Sequence, residues 1–107
     1  MIRHFYSHII ETESIIIELD KLELSKEEKK HLIELAEYNI HYAVMDTVLS
    51  ELSDEDKKAV LSHMHAKKHE EIWKLLNKKI NNVEEKILKS AGKVKKELLQ
   101  DIKELRK

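Results

Sequence analysis

The sequence predicts an all-α fold, an antiparallel bundle of four to five helices with a long amphipathic C-terminal helix, on three observations. The chain has no proline, one glycine and 38% charged residues, and Glu, Lys, Leu and Ile dominate it, a composition suited to long helices with solvated charges. Two stretches, Leu24-Ser25-Lys26-Glu27-Glu28 and Leu52-Ser53-Asp54-Glu55-Asp56, carry the same helix-start signal, a serine cap followed three residues on by an acid. Finally, Val83, Ile87, Ala91, Val94, Leu98, Ile102 and Leu105 recur at steps of four, four, three, four, four and three. That eleven-residue repeat, about 3.67 residues per turn, keeps an apolar seam on one side of a nearly straight helix.

In chain order, a first helix is expected over about 2–22, because Ile2, Phe5, Tyr6, Ile9, Ile10, Ile16 and Ile17 recur at three- and four-residue spacing. Glu13 falls inside that stripe, either reaching past its edge into water or buried with a partner. The run Ile15-Ile16-Ile17 would also suit a strand, but the chain offers no second strand to pair with it. A second helix follows the Ser25 cap and runs to about Leu52, with Leu32, Ile33, Ala36, Ile40, Ala43, Val44, Thr47 and Val48 facing inward. Asp46 borders that surface, where a lysine of the C-terminal half is its expected partner. A third helix, about 54–65, buries Ala59, Val60, Leu61 and Met64; the pattern then changes phase near His65-Ala66-Lys67-Lys68 and resumes in a fourth with Ile72, Trp73, Leu75, Leu76 and Ile80. Trp73 is the sole tryptophan, and its large indole makes it the expected core anchor. Asn81-Asn82 supplies the break before the long helix, Asn82 reading as its cap. Gly92 interrupts that helix at a cost of about 1 kcal/mol relative to alanine, marking a close helix crossing or a bend. The whole reads as a single helical domain, 1–107, with core helices in 2–80 and the long helix over 82–106.

Charge is divided unevenly. Residues 1–56 hold 5 Lys/Arg against 14 Asp/Glu, a balance of −9, whereas residues 57–107 hold 15 against 7, a balance of +8. Two such halves can fold onto each other or pair head to tail between subunits. Nucleic acid is an unlikely partner, since the basic half keeps acids along its length and lacks interleaved aromatics or an arginine cluster. No window approaches the roughly 18 uninterrupted apolar residues of a membrane helix. Without cysteine there is no disulfide, thiolate ligand or thiol nucleophile, which suits a reducing cytoplasm, the expected location.

The segment Leu24-Ser-Lys-Glu-Glu-Lys, with Val48-Leu-Ser-Glu-Leu-Ser-Asp-Glu-Asp-Lys and then Ile72-Trp-Lys-Leu-Leu-Asn-Lys-Lys-Ile-Asn-Asn-Val-Glu-Glu-Lys-Ile, resembles an uncharacterised family of small helical bacterial proteins. The resemblance covers roughly residues 5 to 105. It implies the helix boundaries and brings no activity with it.

Chemistry-bearing constellations are sparse. His63, His65 and His69 form His-x-His-x-x-x-His, and the i, i+4 pair within it has metal-ligand spacing; a helix break between them and the adjacent lysines oppose a cation. His4 and His8 share that spacing, with Glu11 three residues on, and are expected on the polar side of the first helix. Glu28-x-x-His31 is half of a di-iron motif whose second half is missing, and Glu37 and His41 share a flank as a simple pair. No nucleophile accompanies a base and an oxyanion hole, and a single glycine provides no phosphate-cradling loop. A non-enzyme without cofactor is therefore expected. Its function is expected to be protein association, with a protein partner or a second copy, through the seam Val83, Ile87, Ala91, Val94, Leu98, Ile102 and Leu105. The alternatives are a metal-binding or metal-sensing protein using His63, His65 and His69, and a stalk-like component of a membrane-associated machine.

Overall fold

In a computed structural model that describes residues 4–105, the chain forms five helices: α1 (Glu13–Asp20), α2 (Lys26–Leu49), α3 (Asp54–His65), α4 (His69–Lys79) and α5 (Val83–Leu105). They pack into a body of 47 × 24 × 20 Å, longer than either of the two long helices, each about 35 Å at 1.5 Å per residue. No described helix is long and apolar enough to cross a membrane.

The helix starts follow the local chemistry. The Ser25 hydroxyl accepts from the Glu28 N–H while the Glu28 carboxylate accepts from the Ser25 N–H, closing a capping box. Ser53 accepts from the Asp56 N–H, and three acids occupy the first turn of α3, where the helix dipole favours negative charge. Between α3 and α4 the chain reverses through Lys67, and before α5 through Asn82, both with positive φ (59° and 54°). Asparagine tolerates that conformation better than most residues. The Asn82 carbonyl accepts the first backbone bond of α5, from Lys86.

The first predicted helix is not observed as one element. Residues 5–9 form turns and the helix starts only at Glu13; Ile2 and Arg106 lie outside the described residues. Two interactions account for the interruption. The Phe5 carbonyl, which a continuous helix would offer to the Ile9 N–H, instead accepts from the Trp73 indole at 2.8 Å, while the Ile9 N–H turns to Tyr6. Glu11 then accepts from both the Ser14 N–H and hydroxyl, so its side chain helps begin the next helix. Restarting there resets the phase. Ile15 and Leu19 enter the core, Ile17 is left outside, and Glu13 is exposed.

The core is built mainly between α2 and α5, with α1 along them and the α3–α4 pair closing one end. Ala36, Ile40, Val44 and Val48 of α2 meet Val83, Ile87 and Ala91 of α5 within one apolar cluster that also holds Val60, Ile72 and Leu76. The long helix is thus a principal wall of the core, where the sequence suggested an arm docked onto a finished one. Leu61, expected inside, is half exposed. Charge joins the same halves: Lys95 pairs with Glu11 at 2.5 Å, Lys86 with Glu51 at 2.7 Å and Lys79 with Asp56 at 3.6 Å. These exposed pairs contribute little individually, but they resolve part of the charge asymmetry inside one chain.

Candidate functional site

The seam of α5 divides into two parts. Val83, Ile87 and Ala91 are 0–1% exposed and Ile102 is buried, all under side chains of the same chain; the Ser90 hydroxyl donates to the Ala43 carbonyl of α2 at 3.1 Å, which fixes the close approach there. Val94 and Leu98 are half buried. The side chain of Leu105 lies outside the described residues. Around Leu98 the helices part, leaving an apolar cleft of about 140 Å³ walled by Ile15, Leu19, Leu32, Leu35 and Ile102. Of the predicted partner-binding residues whose side chains are described, only Val94 and Leu98 reach solvent.

Gly92 lies on the outer side of α5. A β-carbon there would meet nothing within 4 Å, so the expected crossing within the chain is not observed. Lys89, Lys93 and Lys96 flank it around a shallow concavity and form no ion pair among the described residues. They stand as a row of free cations beside a flat spot.

A second constellation joins the N-terminal turns to α2 and α4. His4 stacks on Tyr6 and on His41, with ring centroids 5.0 and 4.3 Å apart. The Tyr6 hydroxyl lies 2.6 Å from His41 Nδ1. Phe5 and His8 meet the Trp73 indole edge to face. Burial pushes the Tyr6 phenol up, with the negative Glu37 adding to the effect. Burial also lowers His41, helped by the neighbouring His4, and lowers His4 against the pull of Glu37 and with a smaller contribution from His69. A protonated phenol beside a neutral imidazole makes Tyr6 the donor to Nδ1. His41 therefore pairs with Tyr6 rather than Glu37, and His4, expected on a polar face, is half buried. These contacts span 35 to 68 residues of sequence, which local spacing cannot reveal.

Two imidazoles held neutral by burial make stability depend on pH. Their folded-state pKa values lie below the unfolded one, so this contribution is complete above pH 6.5 and is lost as pH falls from 6.5 through the folded values. In urea titrations the midpoint is expected to drop between pH 7.5 and 5, at less than about 1.4 kcal/mol per pH unit for each imidazole. His41→Gln should flatten the profile; a wild-type midpoint constant over this range would contradict the burial of both rings.

The geometry gives the metal alternative no support. Among the described residues no group of three His, Cys, Asp or Glu side chains is placed to hold an ion. His63 and His65 belong to α3 and His69 to α4, and the reversal through Ala66–Lys68 separates them. Glu28 is occupied by its cap.

The outer face of α2 was missed altogether. Leu35, Tyr38 and Tyr42 are 50%, 64% and 67% exposed, and at 3.6 residues per turn they fall within about 60° of one another, opposite Ile40 and Val44. Apolar residues on both sides leave α2 with little net amphipathicity, although the spacing 35, 38, 42 was readable. Asp46, expected to bridge to a lysine, is exposed beside this row and forms no ion pair among the described residues.

Fold and surfaces together define an all-α helical bundle with a partly open apolar seam and an exposed aromatic row. No family model, curated protein or solved structure matches the chain.

Proposed function

We propose that this chain is a non-catalytic protein of bacterial, cytoplasmic type that works by helix-mediated association, with a second copy or a protein partner, as the resemblance to small helical bacterial proteins would accommodate. The observation that supports this reading is the apolar cleft beside Leu98, where the α5 seam is left incompletely covered at Val94 and Leu98. Burying such a surface gains about 25 cal/mol per Å² of apolar area removed from water. The histidine and tyrosine side chains around His4 serve packing in this reading, with no reacting group beside them.

Light scattering over a concentration series, combined with circular dichroism, tests the proposal. The wild-type chain should show a molar mass above one chain that rises with concentration. Val94→Asp with Leu98→Asp should reduce the rise with most helix content retained. Loss of helix content instead would mean that the seam is wholly internal and the cleft is no docking surface.

A further inference from the structure

We infer that the outer face of α2 receives the lysine row of α5 from a second copy of this chain. The inference rests on the association reading above and adds a second surface to the cleft, which it meets at Leu35.

The receiving face is apolar at its centre and acidic at its rim. Leu35, Tyr38 and Tyr42 form the row; Glu27, Glu34 and Asp46 are exposed on its flanks and have no ion pair among the described residues. Helical rotation carries Lys26, Lys29 and Lys30 to other sides of α2, and Lys29 is engaged by Asp20. The face also carries the exposed His31 and Asn39, but the formal charges at its rim are carboxylates, which disfavours meeting its own image because like charges would be juxtaposed across the two-fold axis. It favours a basic helix.

The same chain carries one. Lys89, Lys93 and Lys96 lie free on the outer side of α5, with Lys103 exposed two turns further on, while Lys86 and Lys95 are paired in place. Gly92 in their midst is required by no internal contact, yet it costs about 1 kcal/mol of helix stability relative to alanine. A glycine there lets a foreign ring approach the backbone. Tyr38 and Tyr42 suit that approach, because a phenol ring can lie on the flat spot while its face attracts a neighbouring ammonium. The acidic flanks of the row and the lysine row are of opposite sign, which supplies the charge complementarity. The contact joins two different surfaces, so each copy has one of each to offer, and assembly either closes into a ring or continues as a chain.

Sedimentation and light scattering of the full chain test this. Raising salt from 50 to 500 mM should weaken association about tenfold or more, since exposed charges are screened. Gly92→Leu should weaken it at least as much while leaving the helix intact, because the added side chain fills open space and leucine favours helix. Tyr38→Ser with Tyr42→Ser should do the same from the other side. Mixing these two variants should restore a 1:1 pair, since each retains the surface that the other lacks. Association that survives all of these variants but is lost in Leu98→Asp would remove the α2–α5 contact and leave the cleft as the docking surface. A wild-type chain that remains monomeric would overturn the second copy as occupant, and failure of the mixed variants to pair would overturn the complementary surfaces.

Discussion

Replacing Ile87 by alanine is expected to lower the free energy of unfolding by about 2–5 kcal/mol, the usual cost of truncating a fully buried aliphatic side chain. Ile87 is 0% exposed and sits in the wall that α5 presents to α2 and α1. For a chain of this size the total is about 5–15 kcal/mol, so the variant loses a large part of its stability. Leu88, its neighbour, provides the control: at 42% exposed, its truncation should cost well under half as much. Urea midpoints read by circular dichroism measure both. The Ile87 midpoint should also be independent of protein concentration once any association is suppressed by dilution, because the covering side chains belong to the same molecule; a seam covered by a second copy would make it concentration-dependent. Equal costs for Ile87→Ala and Leu88→Ala would mean that α5 is not packed as described.

Most of the helices were legible because their signals are local. Ser25 and Ser53 announce starts through three-residue hydrogen bonds, and the steps from Val83 to Ile102 announce a seam through helical geometry alone. The seam's partner was not legible, since periodicity identifies a face that needs cover but not the surface that supplies it. The N-terminal segment was misread for a related reason. Phe5, Tyr6, Ile9 and Ile10 have helical spacing, but the Phe5 carbonyl is taken by Trp73, 68 residues away, and a contact of that range outweighs the local pattern. Asp46 illustrates the converse: a salt bridge inferred from overall charge went instead to Glu11, Glu51 and Asp56, which lie opposite lysines. The exposed row on α2 was readable at 35, 38 and 42. The stronger inner face, Ala36 to Val48, already meets the helix's need for a core and masks the remaining apolar side chains in its periodicity.

Trp73→Ala is expected to release the N-terminal turns from the bundle while α2–α5 remain folded, at a cost of about 2–4 kcal/mol, somewhat below the range for a fully buried tryptophan. Trp73 is half buried, and its role is to close a clasp: its indole N–H donates to the Phe5 carbonyl and its ring meets Phe5 and His8 edge to face. Removing it frees the carbonyl to water and opens the side of the Phe5 ring, and the segment is then held by Tyr6 and His4 through His41 and by the Lys95–Glu11 pair. Trp73→Phe separates the two contributions, since it keeps an aromatic ring but deletes the donor, and should cost about 1 kcal/mol for the lost hydrogen bond. Amide exchange locates the effect. In Trp73→Ala the Ile9 N–H, bonded to the Tyr6 carbonyl, should lose protection disproportionately to amides in the middle of α2, because its turn exists only while Phe5 and Tyr6 are held. A uniform loss of protection along the whole chain would instead make the turns part of one cooperative core with α2 and α5, and the clasp would have no independent existence.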